Sequence, residues 1–305
     1  MKRFAFLFAV LLSCATAASS DAPKRPRILG IAGVKVFSTD LRAARNFYSQ
    51  VLGAKETSPN TFSLNSHQVV SLFSAPSPAP SNFVAEVVFE TDNLGGLLRY
   101  LRAQKIQVNA NLVMVQRWDV IRPGYSTLSV TDPDCHRISF IQRTKSPRPS
   151  NRSPSTSPME AQRILHAGFV VKNFDLMKNF YVDLLGFRLY WQGGFKDDGL
   201  DWYEIQVPDG DNWIEFMLNI PDNADHKELG VQNHFSLGVK DIHVEAELLR
   251  KHGLQKFDGP EIGRDGKWGL DVYDPDATRV EFMEFTPTQT PCCHPYTALH
   301  PGQKP

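Results

Sequence analysis

Ile164-Leu165-His166-Ala167-Gly168, continuing through Asp175-Leu176 to Asn179-Phe180-Tyr181 and Leu184-Leu185-Gly186, is the stretch on which the fold turns. Ala167 to Val171 reads as a strand. Asp175 then caps a helix whose Leu176, Phe180 and Leu184 recur every fourth residue, and Gly186 ends it. The same order occurs earlier in the chain, from Ile28-Leu29 through Asp40-Leu41 to Asn46-Phe47-Tyr48 and Val51-Leu52-Gly53. Asn46 to Asn179 and Gly53 to Gly186 are both offsets of 133 residues. Leu101-Arg102 answers Leu249-Arg250, and Asp132-Pro133-Asp134 answers Asp274-Pro275-Asp276, so the chain is a tandem duplication.

Each half contains two smaller units. In the second half, strands are expected over Arg188 to Gln192, Trp202 to Val207 and Trp213 to Leu218, the last two joined at the turn Pro208-Asp209-Gly210. His234 to Val239 then opens a second unit, followed by a helix over Val244 to His252. Strands near Gly269 to Tyr273 and Thr278 to Phe285 flank the turn Asp274-Pro275-Asp276. The unit is strand, helix and three strands, which makes the fold class α+β with tandem βαβββ units. The first half spans 27–143 and the second 163–286, separated by a Ser/Pro-rich linker at 144–160 and followed by a Pro-rich tail at 287–305.

Composition excludes several classes. The 305 residues carry 33 Lys plus Arg against 33 Asp plus Glu, and 42% are hydrophobic. A neutral chain of this kind is neither disordered nor built to hold nucleic acid. Residues 1–17 read as a signal peptide: Lys2 and Arg3 precede an apolar run, and Ala15-Thr16-Ala17 is a small-x-small cleavage site. The protein is therefore expected to be secreted or periplasmic, with a lipid anchor on Cys14 as a variant reading. No apolar run reaches the roughly 20 residues of a membrane span. Beyond the signal, Cys135, Cys292 and Cys293 are too few for a disulfide scaffold. Cys292-Cys293-His294, with His300 nearby, can hold a soft metal, but the prolines around them point to a disordered tail.

The carrying motifs are Ile164-Leu165-His166-Ala167-Gly168, Asn179-Phe180-Tyr181 with Leu184-Leu185-Gly186, Trp213-Ile214-Glu215-Phe216, and Asp274-Pro275-Asp276 with Arg279-Val280-Glu281-Phe282. With them the chain resembles the vicinal oxygen chelate superfamily, which includes glyoxalase I, extradiol dioxygenases and bleomycin resistance proteins. The resemblance implies two cupped-sheet, glyoxalase-like domains. It also implies metal ligands on the first and last strand of each unit, which in the second half are His166, Glu215, His234 and Glu281. The separations are 49 residues from His166 to Glu215 and 47 from His234 to Glu281, as expected of two copies of one unit. Two imidazoles and two carboxylates suit one divalent Zn, Ni, Fe, Mn or Co ion, with two positions left for water or a chelating substrate. A lone strand histidine is normally a core or surface residue, and an isolated carboxylate is costly to bury. Four such residues at matching positions reverse that reading.

In the first half the corresponding residues are Gly33, Ser71, Glu86 and Ser139, so that half is expected to hold no metal by this route and to act structurally. Pairing units within the second half keeps the four ligands together, whereas crossed pairing between halves would divide them. The first arrangement is expected, in a monomer or homodimer acting on a small molecule. The ligand set resembles that of glyoxalase I and implies a lyase or isomerase that stabilises an enediolate, with Glu281 or Glu215 as base. Arg264 and Lys267 are candidates to bind an anionic substrate. The alternative is a ring-cleaving dioxygenase using His166, His234 and Glu281 on Fe(II) or Mn(II). A third is a non-catalytic binding or resistance protein. Of the tryptophans, Trp118 lies in the first half and Trp191, Trp202, Trp213 and Trp268 in the second. Trp213 shares the strand face of Glu215 by alternation and is expected to line the pocket.

Overall fold

The structure is a computed structural model that describes residues 23–108, 127–143 and 163–303. The expected signal peptide at 1–17, Cys14, Trp118 and the expected linker at 144–160 lie outside the described residues. The first half builds one sheet from β1 (Ile28–Ser38), β2 (Lys55–Ser58), β3 (Thr61–Ser63), β4 (Val69–Ser74), β5 (Val84–Thr91), β6 (Thr127–Thr131) and β7 (Arg137–Ile141), in the order β2-β3-β4-β1-β5-β7-β6. The second half builds another from β8 (Arg163–Val170), β9 (Arg188–Gly193), β10 (Trp202–Gln206), β11 (Trp213–Met217), β12 (His234–Val239), β13 (Asp258–Ile262), β14 (Trp268–Tyr273) and β15 (Arg279–Glu284). Its order is β13-β14-β15-β12-β8-β11-β10-β9. The two first strands, β8 and β12, pair antiparallel at the centre, and each pairs parallel with the last strand of its own unit. Units therefore pair within a half, as the ligand argument requires.

The first helix of the second half departs from the expected cap and face. In the first half, α1 (Leu41–Asn46) is capped by Asp40, whose carboxylate accepts from the amides of Arg42 and Ala43. After α2 (Leu94–Ala103), the second half opens on α3 (Phe174–Lys178), which starts from Asn173 rather than Asp175. Both α1 and α3 run on into wider π turns, at Phe47–Val51 and Asn179–Leu184. The extra residue per turn rotates the stripe, so Met177, Phe180, Tyr181 and Leu185 enter the core while Leu176 is 54% exposed. The remaining helices are α4 (His226–Gln232) and α5 (Ile242–Lys251). Pro260 and the charged residues around it hid β13 from the strand pattern.

The halves are joined by contacts that repeat across a pseudo-twofold axis. The Gln68 and Asn212 side-chain amides precede equivalent strands and bond the backbone of Ile31 and Ile164, themselves 133 residues apart. Each Asp-Pro-Asp turn reaches into the opposite half. Tyr181 donates to Asp132 Oδ2 at 3.1 Å and Tyr48 to Asp274 Oδ2 at 3.4 Å. Asp134 accepts from the amides of Lys172 and Asn173, and Asp276 accepts from the Ser38 hydroxyl at 2.7 Å and the Thr39 amide at 3.2 Å. One hydrophobic core runs through both halves, with Phe89 edge-on to Phe187 at 5.6 Å.

Hydrogen bonds to a charged acceptor are worth about 1.5–3 kcal/mol each, so Asp276→Ala should cost about 2–3 kcal/mol in urea unfolding. Burial lifts the Asp274 carboxyl to about 6, against a weaker opposing effect of backbone donors. An acid raised in the fold adds stability below its unfolded pKa of about 4 and loses it as pH rises through the folded value. Asp274→Asn should flatten the stability profile across that window.

Candidate metal centre

Two rows of cross-strand neighbours build the concave face of the second sheet. One runs Asp271, Glu281, Ser236, His166, Trp213; the other runs His234, Gly168, Glu215, Glu204, Trp191. The rows exchange roles across β8 and β12, so each unit offers a histidine on its first strand, a glutamate on its last and a further acid one strand beyond. The side chains converge. His166 Nε2 and His234 Nε2 face each other at 3.0 Å. Glu281 Oε2 lies 3.1 Å from His166 Nε2 and 3.8 Å from His234 Nε2, while Glu215 Oε2 lies 3.2 Å from His234 Nε2 and 3.6 Å from His166 Nε2. His166, Glu215 and His234 form the tightest trio, with one donor atom from each within 4.8 Å of the others. Glu281 completes the set from the far side.

Local chemistry prepares these donors for a cation. A Cβ on Gly168 would stand 2.1 Å from the His234 ring, so only glycine lets that imidazole lie across β8. His234 Nδ1 is 3.0 Å from the Gln232 carbonyl. Arg279 Nη2 lies 2.9 Å from the same Nδ1, so the ring is held between a backbone carbonyl and a guanidinium. Burial, reinforced by the charge of Arg279, lowers the His234 pKa and keeps the ring neutral. Burial opposes ionisation of Glu281, yet contact with His166 and the charges of His166 and Arg279 outweigh it and hold the carboxyl well below the usual range. For Glu215 burial is likewise outweighed, by His234 and His166. A neutral His234 ring and two ionised carboxylates are states a metal requires. The buried Glu281 Oε2 also has no hydrogen-bond partner.

Glu215 and Glu281 border a cavity of about 360 Å³, with the two histidines buried behind them. Its basic residues are already committed: Lys267 to Asp265 at 2.9 Å, Arg279 to Asp271 at 3.2 Å, and Arg264 to Asp197 and the Gly194 carbonyl. Arg279 also lies against the His234 ring, 3.0 Å from Nε2. Carboxylates outnumber cations on the lining, among them Asp258 and Glu261. Glu204 is buried, its Oε2 has no hydrogen-bond partner, and burial raises its pKa well above the ordinary value despite the charge of Lys267. Such a cavity attracts a cation.

A family model for the glyoxalase/bleomycin resistance protein/dioxygenase superfamily matches residues 30–140 and 163–282. The chain belongs to this superfamily. It is similar to a lactoylglutathione lyase of Haemophilus influenzae, 29% identical over 131 residues, which cover 42% of this chain and 96% of that protein. It is also similar to a probable chloroplastic lactoylglutathione lyase of Arabidopsis thaliana, 24% identical over 136 residues, or 44% of this chain and 39% of that protein. Among solved structures, homoprotocatechuate 2,3-dioxygenase from Arthrobacter globiformis matches with a TM-score of 0.63 and 19% identity, covering 87% of this chain and 82% of that one. The Brevibacterium fuscum enzyme, in complex with 3,4-dihydroxyphenylacetate, gives 0.60 and 18% over 86% and 82%. These structural likenesses are of fold.

Within this superfamily chain, the first half shows what replaces the donors. Its register sets Lys35 opposite Ser71 and Glu86, as Gly168 is set opposite Glu215 and His234. Gly33, Ser71, Glu86 and Ser139 thus stand where expected, but the decisive residue is Lys35, which sequence comparison passed over. Its Nζ lies 2.7 Å from Glu86 Oε1, and Arg137, at the position of Arg279, lies 3.0 Å from Glu86 Oε2. Burial lowers the Lys35 pKa to about 8, against the pull of Glu86. An ammonium group fills the first cup.

Several expectations for the second half and the tail are modified by the structure. Trp213 does not line the cavity: it is fully buried, 4.9 Å from the His166 ring, under Tyr190 and Lys267. Lys267 lines the cavity but is buried, paired with Asp265 and ringed by Tyr190, Trp213 and Tyr296. The tail is ordered through residue 303. Tyr296 donates to Asp265, Trp191 donates to the His294 carbonyl, and Tyr190 bonds His300 Nδ1 at 2.8 Å. Cys292 and Cys293 are bonded to each other, so the pair as it stands is no soft-metal site, and Cys135 is free. Glu204 and Asp271 were missed because each unit was searched only at its first and last strands. Their signal was the recurrence of an acid 11 and 10 residues before Glu215 and Glu281.

Breaking one side of a buried ion pair costs about 3–5 kcal/mol, whereas replacing both sides by apolar residues is often neutral. Lys35→Met should therefore destabilise the protein by about 3 kcal/mol, and Lys35→Met with Glu86→Leu should restore most of it. Thermal unfolding of the two variants checks this.

Proposed function

We propose that the protein is a metal-dependent enzyme, a lyase or isomerase, that moves a proton on a small substrate bearing neighbouring oxygens. His166, Glu215, His234 and Glu281 would hold one divalent ion of the Zn, Ni, Fe, Mn or Co group. The observation that carries the reading is the meeting of two Nε2 atoms and two carboxylates from four strands in one cup. When bound, the ion supplies Lewis acidity that withdraws charge from a substrate carbonyl.

The protein residues do the rest. Glu281, whose Oε2 has no hydrogen-bond partner, is the candidate base for the carbon-bound proton. Glu215 approaches from the opposite side and is placed to return a proton. His234, beside the Gln232 carbonyl, and His166, backed by the Trp213 ring, would present their Nε2 atoms to the ion. The sheet and the ordered tail exclude water around them. Because the cavity's basic residues are already paired with acids or backbone, an uncharged substrate fits better than an anionic one. The ring-cleaving alternative is disfavoured because Glu215 fills a position that a two-histidine, one-carboxylate set leaves open. A non-catalytic binder has no use for four buried donors. Export by residues 1–17 is part of the proposal, supported by the Cys292–Cys293 disulfide, a bond that persists in oxidising compartments.

Purified protein should carry about one divalent ion per chain by elemental analysis, as a single four-donor site requires. His234→Ala and Glu281→Ala should lose it; equal metal in wild type and variants would refute the site. Glu281→Gln should retain part of the metal while lowering turnover about 100-fold or more, the contribution of a general base.

A further inference from the structure

Beyond the donor set, the same cavity carries an aromatic wall whose position defines a second subsite. Glu204 and Trp191 extend the row that contains Glu215, each one strand further out. At about 4.8 Å per strand, Trp191 stands about 10 Å from Glu215. Trp202 lies two residues before Glu204 on β10 and so shares its face. Its ring is stacked with Trp191 at 6.5 Å and 23°, and Phe195 leans on it at 4.6 Å. All three rings line the cavity. Trp191 is held in orientation through its Nε1 bond to the His294 carbonyl. Phe195 is 74% exposed and belongs to none of the hydrophobic clusters, so packing does not account for it. It extends the wall into solvent at the rim.

Resting on the metal-enzyme reading above, we infer that the substrate is an uncharged aryl compound. Its oxygen pair sits at the four donors, and its aromatic ring lies against Trp202 and Phe195, in front of the buried Trp191, roughly 8–10 Å away. Rings with fixed orientation favour a planar partner over a bulky saturated one. The excess of carboxylates over cations on the lining repels an anionic tail. The reading therefore separates substrates by what lies beyond the chelating oxygens, a property the donor set itself does not determine.

The test is calorimetry on full-length protein loaded with Zn²⁺, using three hydroxamates as oxygen-pair probes. 3-Phenylpropanohydroxamate should bind about fivefold to tenfold more tightly than acetohydroxamate or 3-cyclohexylpropanohydroxamate, the scale of an aromatic contact. Trp202→Ala and Phe195→Ala should erase that preference and leave acetohydroxamate affinity unchanged. Equal affinities in wild type, or a phenyl preference surviving in the double variant, would overturn the inference while leaving the metal centre intact. Failure of acetohydroxamate to bind would count against the metal centre instead. The wall is then tested separately by tryptophan quenching in metal-free protein with 3-phenylpropanamide, which lacks the chelating pair. Quenching that weakens in the two variants supports the subsite, and its absence in wild type refutes it.

Discussion

A curled sheet that buries carboxylates on its concave face must also place positive charge there, and both halves of this molecule are organised around that requirement. In the first half Lys35 carries the charge on the chain itself, pressed against Glu86 at the centre of the cup. In the second half the equivalent position is Gly168, and the space it leaves admits the His234 ring between strands that carry Glu215 and Glu281. The cationic side chains nearest the second set are held by their own acids. The donors are left facing one another, a geometry that a divalent ion satisfies. Lysine in place of glycine on a central strand, together with the loss of His166, Glu215 and Glu281 to Gly33, Ser71 and Ser139, thus separates a cup closed by its own ammonium from one where four candidate donors face one another.

The same duplication supplies the rigidity that such a set needs. Gln68 and Asn212 fasten the two central strands to each other, and the two Asp-Pro-Asp turns lock each half to the opposite helix and strand end. The first half is therefore more than a relic, because its turn anchors the helix that backs the second sheet. The tail adds a further layer. It fixes Trp191 and closes the cage around Lys267.

Much of this was legible in the residues. The 133-residue offset, the ordered motifs and the near-equal separations of His166–Glu215 and His234–Glu281 carried the duplication, the βαβββ units and the four convergent side chains, because strand alternation and repeat spacing are local properties. Misreadings arose where a local rule met a nonlocal one. The helix stripe through Leu176 was displaced by a π turn. Trp213 obeyed alternation with Glu215, but the tail and Lys267 cover that part of the face. The tail's prolines suggested disorder, yet its Tyr296, Thr297 and His300 find partners more than 30 residues away.

By itself, then, the sequence determined which residues share a sheet face, since side-chain direction along a strand follows from counting in twos, and which half kept its donors. Only the tertiary structure decided which charges are free to act. Lys35, Lys267, Arg264 and Arg279 look alike as cations in the sequence. Their roles are set by which acid lies within about 3 Å, and that depends on strand order, register and the return of the tail, none of which is encoded in the neighbours of any one residue.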